Sequence, residues 1–178
     1  MKHYSIAVVL LVLTFAGCKD QPDNGKLTVR KQTEVTAGET KEVFVNDVGV
    51  ASFPTPTGWR PNRSNGNTAI ILTRENADGQ PPNEMFSIDI GKPLTNSVEE
   101  SAKGIAEKFN GTVTAFADGL DGETAFRVSV PPNYDTLMPR ECIVAHHDDK
   151  VCFIFAGSKS KTDIWPAMLE LTRSWKWN

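Results

Sequence analysis

The sequence has no positive charge to spare, little apolar run length and none of the common catalytic signatures. Its 19 Lys and Arg against 22 Asp and Glu leave a formal charge of −3. No basic surplus is available to neutralise a phosphate backbone, so nucleic acid is not an expected partner. The longest nearly apolar run, Ile6 to Phe15, would rise about 15 Å as a helix, half of a bilayer core, and a permanent span is not expected. A G-x-S-x-G elbow, an H-E-x-x-H pair, a Gly-Lys-Ser/Thr phosphate loop and a dinucleotide fingerprint are all missing. The enzymes built on those motifs are therefore excluded, and no cofactor is expected. What remains, 178 residues with 39% hydrophobic and 23% charged side chains, matches one globular domain plus an appendage.

The appendage is N-terminal. Lys2 and His3 give a short basic start, the apolar run follows, and small Ala16 and Gly17 precede Cys18, the plan of an export signal over residues 1–17. Phe15-Ala16-Gly17-Cys18 resembles the lipobox of bacterial lipoproteins, in which a bulky residue and two small ones precede a lipid-bearing cysteine; Phe15 stands where Leu is usual. Ordinary secretory cleavage and an uncleaved anchor are the other readings of the same residues. The lipobox resemblance implies a palmitate-type acyl anchor on Cys18 and a protein of the cell envelope, facing the periplasm or held at the outer membrane. Lys19 replaces the Asp that marks inner-membrane retention in enterobacterial lipoproteins. From Cys18 to about Thr40 the chain is polar with few large apolar residues, which reads as a flexible tether.

From residue 41 to 178 strand and helix signals alternate. Phe86, Ile88 and Ile90 alternate with Ser87 and Asp89, and Phe126, Val128 and Val130 with Arg127 and Ser129, the period of strands with one buried face. Further strands are expected at Val43–Val45, Val48–Phe53, Thr68–Thr73 and Val113–Phe116. Glu141–His146 and Lys150–Ala156 flank the polar turn His147-Asp148-Asp149 and predict a hairpin. Its runs are apolar on both faces, which places it mid-sheet. Ser97-Val98-Glu99-Glu100 predicts a capped helix running to Phe109 and stopped by Asn110-Gly111. A second helix is expected from Thr162, with Pro166 in its first turn, followed by a short terminal strand carrying Trp175 and Trp177. The fold class is thus α+β, an antiparallel sheet flanked by helices. ASFPTPTGW, DGETAFRV, the central hairpin and the ending SWKW resemble the Mog1/PsbP-like family, which includes DcrB-type periplasmic lipoproteins. That resemblance spans about Val43 to Trp177 and implies an α-β-α sandwich that binds or assists assembly of other proteins.

Few side chains offer chemistry. With Cys18 assigned to lipid, Cys142 and Cys152 form an even pair in an oxidising compartment. A hairpin centred on His147 would bring them opposite each other, whereas another register would leave two buried thiols. His146, His147, Asp148 and Asp149 are the cluster of metal-ligand types, read chiefly as a solvated turn because adjacent strand residues point to opposite faces. The stretches ENADGQPPNE and FADGLDGE fail the calcium-loop pattern and read as turns. A Ser, His and Asp triad using His146 or His147 is open on paper, since triads are defined by geometry. Trp59, Trp175 and Trp177 read as core, and the loops Glu75–Asn83 and Pro131–Arg140 as either the rim of a partner-facing groove or passive connections.

These readings favour a lipid-anchored envelope protein that binds or assembles another protein without catalysis. A periplasmic small-ligand or metal-binding module is the alternative, and a hydrolase without a recognisable motif comes third. Cys18→Ala is expected to leave an unprocessed precursor that takes up no labelled fatty acid; normal processing of that variant would overturn the lipobox reading.

Overall fold

The computed structural model describes residues 28–36, 39–48, 50–62, 69–74, 83–132, 139–159 and 163–178. Cys18 and most of the two long loops therefore lie outside the described residues. In chain order the elements are β1 (Thr28–Thr36), β2 (Glu39–Asp47), β3 (Ala51–Pro54), β4 (Trp59–Asn62), β5 (Ala69–Arg74), β6 (Glu84–Gly91), α1 (Val98–Phe109), β7 (Thr112–Leu120), β8 (Glu123–Ser129), β9 (Pro139–His147), β10 (Lys150–Ser158), α2 (Trp165–Arg173) and β11 (Lys176–Trp177). The strands make a four-stranded sheet, β1-β2-β3-β11, and a seven-stranded sheet, β4-β5-β6-β10-β9-β8-β7. Every pairing is antiparallel. The chain is thus α+β, as its patterning requires.

Local signals explain most element ends. The Ser97 hydroxyl accepts the Glu100 N–H at 3.3 Å, and Asn110 ends α1 in the left-handed region at φ 54°, the two cap devices that satisfy orphan helix-end groups. α2 begins at Trp165 rather than Thr162, because Asp163 accepts the Trp165 N–H at 2.9 Å and Pro166 occupies the first turn. Asp121 and Gly122, with φ 50° and 89°, supply the doubly left-handed turn that joins two twisted antiparallel strands. The stretch read as a polar tether through Thr40 is corrected over Thr28–Thr36, which forms β1 and pairs with β2 along its whole length. Five of its nine residues are Thr or Val, and β-branched residues favour the extended chain even in a polar segment.

β10 lies at the middle of the large sheet and is apolar on both sides. On one side Cys152, Ile154 and Ala156 join Phe53, Trp59, Leu72, Phe86, Ile88, Ile143, Met168, Leu171 and Trp175, so α2 and the small sheet cover that face. On the other side Val151 and Phe155 join Cys142, Val144 and Val128 beneath Ala102 and Ala106 of α1. The Phe53 and Trp175 rings stack at 4.8 Å with planes 4° apart, tying β3 to the segment after α2. Phe53 is 1% exposed. Phe53→Ala is expected to lower the unfolding free energy by about 3–5 kcal/mol in urea titration, the cost of removing a buried ring and leaving a cavity.

Candidate functional site

The hairpin register decides the fate of the two cysteines. Asp148 and Asp149 form the turn, His147 pairs with Lys150, and the register therefore sets Cys142 opposite Phe155 and Cys152 opposite Ala145. The bridge that a turn centred on His147 would allow is not formed. An odd offset puts the thiols on opposite faces of the sheet, Cys142 under α1 and Cys152 in the core beneath α2, and both are free and buried. Burial pushes both thiols well above their ordinary range, so they serve as small apolar groups and not as nucleophiles.

The same alternation separates the two histidines. His146 points to the α1 side, where its Nε2 lies 3.0 Å from the Ser101 hydroxyl. Ser101 in turn lies 3.0 Å from the Thr95 hydroxyl, which donates to the Ser97 carbonyl at 2.9 Å. Thr95, Ser101 and His146 thus form one hydrogen-bonded chain at the start of α1, whose proton directions follow the His146 tautomer. His147 points to the opposite side. Its Nδ1 is 2.8 Å from Glu123 Oε1, and its ring stacks on Trp177 at 4.7 Å. Asp148 stands 3.8 Å from His147 Nε2, and Asp149 pairs with Lys150 at 3.1 Å. The residues offered by sequence as a weak metal cluster are thus not brought together, and among the described residues no group of three His, Cys, Asp or Glu is placed to hold an ion.

A cleft of about 410 Å³ opens between the β7–β8 turn and the end of α2, lined in part by Asp118, Asp121, Arg173, Trp175 and Lys176. Its charges are already matched. Lys176 Nζ is 2.6 Å from Asp121 Oδ1, Arg173 Nε is 3.5 Å from Asp118, and Asp121 Oδ2 accepts the Trp177 N–H at 2.8 Å. Lys176, then the Trp177 N–H, hold the Asp121 carboxyl below 3.8. Further along the sheet Arg127 grips Glu141 through two bonds of 2.8 Å and lies 3.8 Å over the Trp165 ring, pinning α2 to β8 and β9. These polar groups hold elements together.

The α1 side of the large sheet is different. α1 packs mainly on β7, β8 and β9, and Phe109 at its end meets Phe155 of β10 edge-on at 6.5 Å. Beyond that contact, no described helix packs extensively on β5 or β6 from this side. The register aligns Ile71, Ser87 and Phe155 in one row and Asp89 with Phe153 in the next, with Thr73 and Met85 beside them. Ile71, Thr73, Met85, Ser87, Asp89 and Phe153 are all partly buried. Desolvation raises the Asp89 carboxyl above 3.8, opposed only by the Ser87 hydroxyl at 3.4 Å. Sequence alternation assigned Ser87 and Asp89 to a solvated face and did not mark them as a site. The signal was in β10, whose second apolar face passes directly beside them.

No family model matches this chain, and no curated protein matches it. Among solved structures the chain is similar to the solution structure of cyanobacterial PsbP (CyanoP) from Synechocystis sp. PCC 6803, with a TM-score of 0.46 and 12% identity over 92% of this chain and 99% of that one.

The Asp121 contacts carry a pH dependence whose sign follows from the lowered carboxyl. Their stabilisation is fully present above 3.8, the unfolded value, and is lost as pH falls through the lower folded value. In urea titrations at a series of pH values, the advantage of the native protein over Asp121→Asn is expected to shrink below 3.8 and to vanish at the acid end. A pH-independent difference would refute the assignment.

Proposed function

We propose that this protein is a membrane-anchored envelope lipoprotein, held through lipid on Cys18, whose domain is a non-enzymatic protein-binding or assembly factor. The observation that carries the reading is the half-covered α1 side of the large sheet, where Phe153, Met85 and Ile71 lie partly open beside a carboxylate. A sheet face with apolar residues and, in its β5–β6 half, no described helix packed extensively over it is a surface suited to a protein partner. The resemblance to DcrB-type lipoproteins of the Mog1/PsbP-like family belongs to the same proposal. A second reading, a small-ligand module, rests on the 410 Å³ cleft, whose size suits a small molecule. Its internally paired charges favour it less than the open face.

The test is crosslinking in native membranes with a photoreactive residue at Met85, compared with one at Asp118 in the cleft, in lipidated protein and in Cys18→Ala. A discrete protein adduct from Met85, diminished in Cys18→Ala, is the expected result. No protein adduct from Met85 or Asp118 in either form would overturn the protein-binding reading.

A further inference from the structure

We propose that the open half of the α1-side face seats an amphipathic helix of a protein partner, lying alongside α1 with a lysine or arginine on its apolar side paired to Asp89. The inference rests on the protein-binding reading and names the chemistry of the partner. Seven strands spaced about 4.8 Å apart make a face about 29 Å wide. A helix with its side chains covers about 10–12 Å. α1 occupies the β7–β9 portion, so the remaining width over β10, β6 and β5 corresponds to about one further helix.

The surface has the marks of an interior layer left open. Phe153, Met85 and Ile71 form its floor, and Phe109 of α1, in contact with Phe155, forms its near wall. The connection from β6 to α1 carries Leu94, 81% exposed. Strand addition is the competing way to recruit a peptide, and the β4 edge opposes it. β4 has only four residues, and Pro61 among them lacks a backbone donor.

Asp89 sets the charge of the occupant. Among the described residues it has the Ser87 hydroxyl at 3.4 Å and no cation. Covering the face with a wholly apolar helix would strip this carboxylate of its remaining water without compensation. A lysine or arginine in the helix replaces that water with a charge-assisted hydrogen bond. An acidic helix would set like charges together in a low-dielectric layer.

The test uses the full-length lipoprotein in detergent and two fluorescent amphipathic peptides of about five turns, one of leucine and lysine, the other of leucine and glutamate. The leucine–lysine peptide is expected to bind by anisotropy, and Asp89→Asn, which is isosteric and keeps a partner for Ser87, to weaken it at least about tenfold. Asp89→Lys is expected to reverse the preference toward the glutamate peptide. Glu107→Gln, on the exposed side of α1, is expected to change neither. Amide shifts on binding are expected to concentrate at Ile71, Met85, Ser87 and Phe153. Equal binding of both peptides, indifference to Asp89→Asn, or shifts centred on the cleft would overturn the proposal. So would self-association that buries these residues, or binding seen only after removal of residues 19–27, which would assign the face to a second copy or to the chain itself. If Met85 yields no adduct in membranes while Asp118 does, this inference fails and the protein-binding reading stands.

Discussion

The two-sided burial of β10 is the constraint on which the rest of the molecule depends. Val151, Ile154, Phe155 and Ala156 place apolar groups alternately above and below the central strand, and a strand of that kind is stable only between two covering layers. The small sheet and α2 supply one layer. They are locked to each other by the Phe53–Trp175 stack, and Trp59 on Phe86 at 4.4 Å extends the same contact to β6. α1 supplies the other, through Ala102 and Ala106, whose small side chains let the helix axis come close to the sheet. Among the described residues one layer is broad and the other is narrow, because α1 is the single helix placed over that side of a seven-stranded sheet.

Much of the polar chemistry serves closure of this sandwich at its C-terminal edge. β11 is only two residues long and pairs with β3 through Ser52 and Ala51, too few backbone bonds to hold a strand in place alone. Asp121 on the β7–β8 turn compensates by binding both the Lys176 ammonium and the Trp177 N–H, and the Trp177 indole donates to the Leu120 carbonyl at 3.0 Å. His147 then stacks on the Trp177 ring while Glu123 orients it. Asp121, Lys176, Glu123, His147 and Trp177, the groups that could pass for a catalytic centre here, are paired with one another. Glu170 plays a similar part on α2, accepting the Thr57 backbone and hydroxyl at 3.0 and 2.8 Å and so fixing the turn into β4.

What the sequence reveals about this arrangement depends on the range of the interactions involved. α1 is legible to the residue because its cap, its 3.6-residue apolar period and its Asn110 stop are all local. The central position of the hairpin is legible because a doubly apolar strand has few places to go. Its register is not, since a two-residue turn at Asp148-Asp149 and a three-residue one at His147 differ only in backbone angles, and Asp148 at φ 50° settles the matter. That small difference carries Cys142 and Cys152 to opposite faces. β1 was hidden because its residues are polar, and the partner that orders a polar strand is not visible in the strand itself. The cleft and the Asp121–Trp177 pair join residues more than fifty positions apart, beyond any local pattern.

Asp89 was hidden for a more instructive reason. Alternation along β6 correctly separates Phe86 and Ile88 from Ser87 and Asp89, and a polar face is ordinarily a wet one. The neighbouring strand contradicts that expectation, because Phe153 pairs directly across from Asp89 and Phe155 from Ser87. Two incompatible requirements thus meet on one face: the aromatic rings favour cover and the carboxylate favours water. A cover that brings its own cation meets both, whereas a purely apolar cover meets only one. A face of this composition discriminates among covering elements by charge as well as shape, since an uncharged helix leaves Asp89 unpaired and an acidic one opposes it. On the proposed reading, the residue that makes the face uncomfortable when open is the one that makes its occupant specific.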